Sequence, residues 1–506
     1  MNPKVLKKLA AEKRRINRRL EGAVNSDASS PMTSATNIHY ELADRTGAIA
    51  HGGIGAIHLL AVKTGLIRRL DGALHLLKVH KPYHESDHVL NIAYNAVLGG
   101  RTLDDIELRR NDRVYLDALG AKSIPDPTTE GDFCRRFEAT DVWALQDAIN
   151  ETRLFVWQQQ PRQFFQKTAR IDADGTMVPT DGECKAGMDI SYNGVWGYHP
   201  LVVSLANTQE PLFIQNRSGN RPSHEGVIPL FDRAVTLCQR AGFKDVLLRG
   251  DTDFSLTSEF DRWDEDGVRF IFGNDARDNL KDLAGGLPDE LYRELERRAE
   301  RVVATEPRTR PLNIKDRIVR ERGFTTLRPN GDDVVEFAYQ PVKCRKEYRV
   351  VALRRNLSHT KGDAVLFEEF RYFFYITNDL TLTADEVIHE AHSRCNQENL
   401  HSQLKSGVHA LHAPVNTLNA NWAFMVMAAL AWSLKAWMAL SIPISPRWRE
   451  KHSAEQELVL RMEFRTFIAA FINMPAQIIK TGRKVVYRLL AWNPWQHLFF
   501  RLLDAL

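Results

Sequence analysis

The apolar residues along the chain follow two different periods. Between residues 166 and 275, short runs with a period of two alternate with longer runs of helical spacing. The pattern predicts strands 169–174, 198–206 and 211–216, helix 223–240, strand 245–250, helix 255–265 and strand 268–272. Three strands followed by alternating helices and strands favour an α/β sheet.

The stretches on either side have other patterns. Residues 1–165 are predicted to be mostly helical, and Leu287–Val303 is predicted as a highly charged helix. Short β-like runs such as 334–339 and 348–353 lie between residues 324 and 376. These changes predict five regions: 1–165, helical; 166–275, the first part of an α/β core; 276–375, a β-rich insertion; 376–445, the last part of the core; and 446–506, helical and basic.

One segment, Asn421–Leu440, is apolar enough to raise the question of a membrane span. Asn421, Ser433 and Lys435 interrupt it, and Trp and Phe rings are spread along its length. Such a composition is more typical of a buried core helix than of a membrane span. We therefore predict a buried helix here and no membrane partner.

Composition adds two constraints. The 506 residues suffice for about three domains of roughly 150 residues each. The net charge of +4 is unevenly placed, because residues 1–22 hold eight Lys or Arg against two Glu. This basic arm suggests a polyanionic partner, although a solvated terminus or a transit peptide would have a similar composition. The five cysteines contain no C-x-x-C pair, which argues against a disulfide framework or a cysteine zinc site and fits a reducing cytoplasm.

Arg394, Glu398 and Lys405 lie in a stretch without proline from Thr381 to Ala413. If this stretch is one helix, a rotation of 100° per residue places all three side chains on one face. A carboxylate between two cations suits a site that handles a phosphodiester. The carboxylate helps to hold a divalent metal while the cations contact phosphate oxygens. Such a site needs more carboxylates.

Candidate carboxylates lie at the ends of two predicted strands. Asp172 and Asp174 fall on the same side of the first strand, and Asp251 follows the buried run that ends at residue 250. Ligand sites in α/β sheets favour strand ends of this kind. Asp253, two residues further on, would face the same side of an extended segment. Spacing alone therefore leaves open the choice between Asp172 and Asp174, and between Asp251 and Asp253.

In this order the motifs resemble those of bacterial insertion-sequence transposases of the DDE class, in the group 1 branch with a Y-x2-R-x3-E-x6-K signature. Arg394, Glu398 and Lys405 match three letters of that signature, and Ala391 stands at the tyrosine position. Asp174-Gly-Thr176 matches the D-x-T element of the family, and Asp251-Thr-Asp253-Phe254 matches its D-x-x-F/Y element. The resemblance covers roughly residues 85–440.

The resemblance implies a mechanism and a fold. Asp174, Asp251 and Glu398 would be the catalytic residues and would hold two Mg²⁺ or Mn²⁺ ions. They would lie in an RNase H-like core, which the predicted order of elements also favours. The β-rich insertion would explain the long separation of Asp251 from Glu398. The activity would be cut-and-paste transposition, in which a homodimer binds terminal inverted repeats, cleaves them and joins them to target DNA in the bacterial cytoplasm, at the nucleoid.

Six cations are candidate DNA contacts. Arg394 and Lys405 belong to the signature, and Arg217 and Arg221 belong to a loop after the third strand. Arg135 and Arg136 lie in a short predicted helix with a Thr N-cap, which resembles the recognition segment of a helix-turn-helix within a DNA-binding region at 1–165. The alternatives are a surface helix with Phe133 and Phe137 packed inward, and a solvated turn at 217–221.

Two other classes of function stay open at this point. One is a zinc hydrolase, because histidines cluster around the signature together with Glu390 and Glu398: His389, His392, His401, His409 and His412. Their spacing does not match H-E-x-x-H. The other is a DNA-binding protein that keeps the fold without cutting.

Overall fold

The computed structural model of this protein describes residues 3–24, 33, 35, 37–41, 46–296, 313–362, 364–394, 396–482 and 484–506. Helices dominate the chain before residue 166, together with the two-residue strand β1 (Ala48–Ile49). These helices are α1 (Pro3–Val24), α2 (Ile54–Lys63), α3 (Leu66–Ala73), α4 (Glu85–Val97), α5 (Ile106–Arg110), α6 (Arg113–Leu119), α7 (Pro127–Arg135), α8 (Ala139–Gln158) and α9 (Arg162–Phe165).

Strands and helices then follow in the predicted order. The strands are β2 (Ala169–Gly175), β3 (Val178–Pro179), β4 (Asp189–Ile190), β5 (Trp196–Tyr198), β6 (Leu201–Leu205), β7 (Glu210–Gln215), β8 (Val246–Gly250) and β9 (Arg269–Asn274). The helices are α10 (Val227–Ala241) and α11 (Phe260–Glu265). Residues 198–206 are not one strand, because β5 and β6 are separate, and β5 joins β3 and β4 in a small sheet. The predicted helix 255–265 begins only at residue 260.

The next part of the chain contains three long strands. Its elements are α12 (Asp278–Gly285), β10 (Arg293–Glu294), α13 (Ile314–Glu321), β11 (Thr325–Tyr339), β12 (Tyr348–Lys361) and β13 (Ala364–Thr377). The predicted charged helix Leu287–Val303 is wrong as far as residue 296, because this stretch forms a 3₁₀ turn and β10. The rest of that prediction falls on residues that the structure does not describe.

The last part returns to helices. It contains α14 (Ala384–Ser393), α15 (Asn396–Ser402), α16 (Leu418–Leu440), α17 (Arg449–Arg461), α18 (Phe464–Phe467), β14 (Ala476–Thr481), β15 (Lys484–Leu489) and α19 (Gln496–Leu503). β1, β14 and β15 form a small antiparallel sheet, so residues 446–506 are not helical throughout as predicted.

A nine-stranded mixed sheet organises the molecule, with the order β10-β11-β12-β13-β9-β8-β2-β6-β7. β2, β8 and β9 are parallel, and the other neighbours are antiparallel. The fold is therefore mixed α/β, as predicted. The long strands β11 to β13 continue the sheet of β2 to β9, since β13 pairs with β9 through Phe374–Thr377.

α16 lies at the centre of the helical layer. It packs against α2, α4, α7, α8, α17 and β7. The helix is long and apolar enough to cross a membrane by length and composition, yet its whole apolar window is buried inside the protein. It is the core helix that the sequence predicts.

Lys435 is a charged group inside this core. Its ammonium group donates a hydrogen bond of 2.7 Å to the Leu460 carbonyl and lies 3.9 Å from the centre of the Trp432 ring. Burial lowers the pKa of Lys435 to about 7. The core therefore disfavours the charged form of this side chain.

We expect Lys435 to make stability depend on pH. Between pH 7 and 10.5 the unfolded chain binds a proton at this lysine that the folded chain does not hold, so the free energy of unfolding should rise with pH in this window. Urea unfolding at pH 7, 8 and 9 should give a steeper rise for the parent than for Lys435→Met, by up to about 1.4 kcal/mol per pH unit. Parallel pH profiles for the two proteins would contradict this expectation.

Candidate active site

Asp174 and Asp251 lie at the ends of two neighbouring parallel strands. β2 pairs with β8 in a register that runs from Ala169↔Val246 to Asp172↔Arg249. Two residues further along, the same register places Asp174 level with Asp251. The sheet thus brings together two carboxylates that are far apart in sequence, at the type of strand end where α/β proteins bind ligands.

Arg394 lies between these carboxylates. One guanidinium nitrogen is 3.4 Å from Oδ2 of Asp174, and another is 3.6 Å from Oδ2 of Asp251. The Arg394 and Asp174 side chains are each 18% exposed, whereas Asp251 is 38% exposed. The pair is therefore partly open to solvent on the side of Asp251.

The site disfavours two negative charges. Burial raises the pKa of Asp174 to about 6, while the Arg394 guanidinium opposes the rise and the Asp251 charge adds to it. Burial also raises the pKa of Asp251, again against the attraction of Arg394. Additional positive charge here would relieve both effects. A divalent cation fits these residues chemically, since carboxylate oxygens are hard ligands.

The signature residues do not lie on one continuous helix, so that prediction is wrong. α14 starts at a Thr383 N-cap with Glu386 in a capping box, and it ends at Ser393. α15 begins at Asn396, and Lys405 lies in a π-helical turn, Gln403–Gly407. Arg394 is the C-cap residue of α14, so its side chain leaves from a helix end and reaches the two strand ends.

A buried arginine on β8 fixes the end of α14. The Arg249 guanidinium forms a two-pronged pair with Asp172, with N–O distances of 2.7 and 2.8 Å. It also donates to the Glu390 carbonyl and carboxylate, each at 3.0 Å, and to the Ser393 hydroxyl. Arg249 therefore supplies a partner for a carbonyl in the last turn of α14. Sequence reasoning missed this residue because nothing local marks it.

The same network indicates that Asp172 stabilises the fold through its ion pair with Arg249. Its carboxylate is 1% exposed and occupied by Arg249. Asp174, two residues further, faces Asp251 and Arg394. Asp253 does not continue an extended segment as predicted, because Thr252–Phe254 form a 3₁₀ turn in which Asp251 accepts a hydrogen bond of 3.0 Å from the Asp253 amide. Of the alternatives left open by the sequence, geometry favours Asp174 and Asp251.

Glu398 and Lys405, the other two signature residues, lie on the segment that follows Arg394. Glu398 is exposed on α15, a helix that packs against β2 and is tied to β6 through Gln397, which bonds to the Ser204 hydroxyl and the Val202 carbonyl. Burial lowers the pKa of Lys405, and the negative charge of Asp174 opposes the change. In the described part of the chain, no three His, Cys, Asp or Glu side chains are placed to hold one metal ion.

The other predicted DNA contacts have protein partners. Arg135 bonds to Asp132 and Asn416, and Arg136 donates to the Leu76 carbonyl. Their helix α7 is capped by Asp126 instead of the predicted Thr, and Phe133 and Phe137 are buried beneath it. Arg221 is exposed and pairs with Glu225. Arg217 is buried and donates to four carbonyls that shape its loop, those of His199, Pro222, Ser223 and Glu225.

The histidines of the zinc alternative point to different partners. His389 bonds to the Glu296 carbonyl, His392 to the Tyr375 hydroxyl, and His412 to the Lys405 carbonyl. Burial lowers the pKa of His401 to about 3, and the charges of Lys405 and Arg394 add to this effect. These contacts give no support to a zinc site.

Gly175, directly after Asp174, adjoins a further histidine that the sequence analysis did not single out. Nδ1 of His199 is held by the Arg221 carbonyl at 2.8 Å, and a Cβ on Gly175 would lie 2.8 Å from Nε2 of the same ring. A Cβ there would also lie 3.2 Å from the Arg217 guanidinium. A side chain at position 175 would therefore displace the His199 ring beside Asp174.

Comparison with known proteins identifies the family. Residues 43–506 match the family model described as transposase DDE domain group 1. The chain belongs to this transposase family. A comparison with curated proteins gives no match. Among solved structures, this transposase is similar to a piggyBac transposase in a synaptic complex with hairpin DNA, with 9% sequence identity, a TM-score of 0.36, and coverage of 85% of this chain and 83% of that chain.

We expect Asp172 of this transposase to act on stability. Asp172→Ala leaves buried Arg249 with Glu390 as its remaining acidic partner, and we expect the free energy of unfolding to fall by about 3 kcal/mol. Urea unfolding measures the change. The matched control is Asp253→Ala, also two residues from an acid of the pair, where the exposed side chain should contribute less than about 0.5 kcal/mol. An Asp172→Ala protein as stable as the parent but unable to cleave DNA would move the site to Asp172.

Proposed function

We propose that this chain is a metal-dependent transposase that binds the terminal inverted repeats of its element as a dimer, cleaves them and joins them to target DNA. The observation that carries the proposal is the pair Asp174 and Asp251, at adjacent strand ends with Arg394 between them. Membership of the DDE family gives the pair its chemical context.

We propose further that the core is RNase H-like. In chain order, β2, β6 and β7 form an antiparallel meander, and β8 and β9 lie on the other side of β2, parallel to it. A meander followed by parallel strands with intervening helices supports this assignment. The active-site carboxylates would then lie on the first and fourth strands of the core.

Mg²⁺ or Mn²⁺ is the cofactor that this donor set would take. Asp174 and Asp251 would hold the ions, and Glu398 on α15 would be the third ligand. Two such ions, when bound, activate an attacking oxygen and stabilise a departing one. Arg394 supplies the positive charge between the acids when no ion is present. Its guanidinium is suited to a phosphate oxygen once the acids have another cation, because it can donate two parallel hydrogen bonds.

The cations around the acids would position the DNA backbone. Arg394 lies 3.4 Å from Asp174, the negative charge of Asp174 acts on Lys405, and the exposed Arg221 lies on the loop that holds His199. Arg135 is partly exposed and would contact the backbone from α7. Arg217 would act through its loop, because its guanidinium is buried.

Replacement of the proposed metal ligands tests the function. Asp174→Asn, Asp251→Asn and Glu398→Gln keep the size of each side chain and remove its charge, so each should lower Mg²⁺-dependent cleavage of element-end DNA by orders of magnitude. Cleavage of a labelled end fragment is the measurement, and end binding should persist.

Asp253→Asn is the control for these variants and should cleave like the parent. Cleavage at the parent's rate by Asp251→Asn would contradict the metal assignment. If the parent protein binds element ends but fails to cleave them in the presence of either Mg²⁺ or Mn²⁺, the result would favour a DNA-binding protein that keeps the fold without cutting.

α1 offers a second surface for DNA. It lies outside the residues matched by the family model and carries the eight cations of the basic arm. At 100° per residue, seven of them fall on an arc of about 140°, and only Lys13 lies on the opposite side. The half-buried residues Val5, Leu9 and Ile16 fall outside this arc, on the side that packs against α19. The cationic face is therefore directed to solvent, and we propose that it contacts DNA phosphates.

The position of Lys13 provides a matched control for this contact. Arg15→Gln removes a charge from the cationic face and should lower the slope of log K against log salt by about 0.9 for the lost phosphate contact. Lys13→Gln removes one charge from the other side and should leave the slope unchanged. Titration of duplex DNA by fluorescence anisotropy at several salt concentrations measures both. Equal slopes for the two variants would contradict a role for this face.

A further inference from the structure

Among the residues that the structure describes, β13 has an open edge along most of its length. One side of the strand pairs with β12 from residue 364 to residue 377. On the other side, β9 pairs only with Phe374–Thr377. No strand among the described residues pairs with this side of 364–373. An open edge presents backbone N–H and C=O groups that can pair with another strand.

The side chains of this edge protect it only with three charges, those of Glu368, Glu369 and Arg371. Soluble proteins usually blunt an exposed edge with proline, lysine or a short strand. The segment Ala364–Phe373 contains no proline or lysine. Its apolar side chains are instead exposed by 40% to 58%: Val365, Leu366, Phe367, Phe370 and Phe373. Such a surface is expected to be covered by a partner.

The segment is complementary to itself. When two copies of a strand pair antiparallel about a two-fold axis, one residue lies opposite itself, and its neighbours lie opposite each other. With Phe370 on the axis, Glu369 of each copy faces Arg371 of the other, and Phe367 faces Phe373. Opposite charges and aromatic pairs across strands both stabilise a sheet.

Moving the two-fold axis to a neighbouring residue of β13 removes this pairing of opposite charges. An axis at Glu368 or Glu369 places two carboxylates opposite each other, and an axis at Arg371 places two guanidinium groups opposite each other. Like charges in directly opposed positions destabilise a sheet. An irregularity in the β12 pairing between Phe367 and Val365 limits the regular edge to 367–373, which is centred on Phe370.

We propose that two copies of this chain dimerise through β13, edge to edge and antiparallel, with Phe370 on the two-fold axis. The pairing forms without DNA and joins the two nine-stranded sheets into one. Within each copy Arg371 already lies 2.6 Å from Glu369, so the axis brings together four charges of alternating sign. The Arg354 guanidinium, 4.8 Å from the Phe370 ring, covers that ring from within its own copy.

The small size of the contact predicts its strength. Seven residues from each copy bury less surface than a standard interface of about 1,600 Å². The dimer should therefore dissociate on dilution, and sedimentation velocity of the full chain without DNA should give a sedimentation coefficient that rises with concentration.

A cysteine placed on the axis tests the register. Opposed residues of an antiparallel pair have Cα atoms about 4.5 to 5.5 Å apart, which a disulfide can bridge. In a protein carrying Cys184→Ser, to remove the thiol that is exposed among the described cysteines, Phe370→Cys should form a covalent dimer on mild oxidation. Arg371→Cys is the control, because copies of residue 371 would lie more than about 7 Å apart and should cross-link poorly. The Cys184→Ser protein without a new cysteine measures the background.

A charge exchange tests the pairing independently. Arg371→Glu places like charges opposite each other and should raise the dimer dissociation constant roughly tenfold. Glu369→Arg should do the same. The double variant Glu369→Arg with Arg371→Glu restores the alternation and should dimerise like the parent, which a general loss of folding would not allow.

Three results would overturn the proposal. They are a parent that stays monomeric at all concentrations, equal cross-linking at positions 370 and 371, and a dimer unaffected by both single charge changes. These experiments use neither DNA nor metal, so their outcome is independent of the proposed cleavage activity.

Discussion

The buried guanidinium of Arg249 joins the three elements on which the candidate site depends. It binds Asp172 on β2, belongs itself to β8, and holds Glu390 and Ser393 at the end of α14. Asp174, Asp251 and Arg394 each lie one or two residues beyond one of these anchor points. The distances between the two acids and the arginine therefore follow from an ion network one layer below them. A buried charge that loses its partners is costly, so the network strongly favours one relative position of strands and helix.

Much of the central sheet could be predicted from the sequence because its signals are local. The apolar runs at β2, β6, β7, β8 and β9 have the length and period of buried strands, and the predicted order is the observed one. The strand-end positions of Asp174 and Asp251 follow from the same runs. Their proximity does not, since it requires the parallel register of β2 and β8.

The rest of the site could not be predicted in this way. The interval 381–413 has no proline or glycine before Gly407 to suggest an interruption, yet α14 ends at Ser393, where Arg249 from another strand meets the helix. The long strands were recognised as β-rich, but not as an extension of the central sheet, because the pairing of β13 with β9 joins residues about a hundred positions apart. The charge of Leu287–Val303 suggested a helix, and pairing with β11 decided in favour of β10 up to residue 294. In each case a distant partner determined the outcome.

The placement of α16 has a consequence for how the chain reaches its folded state. This helix comes from residues 418–440, but it fills the space between the early helices α2, α4 and α8 and the sheet strand β7. The ribosome adds about 5 to 20 residues per second. The apolar surface of α4 therefore stays uncovered for tens of seconds, until α16 has been synthesised. Contacts of such long sequence separation also slow folding. We therefore expect the N-terminal helices to need chaperones while the rest of the chain is being synthesised. Translation that stops before residue 418 would leave these helices without the core helix that they pack against.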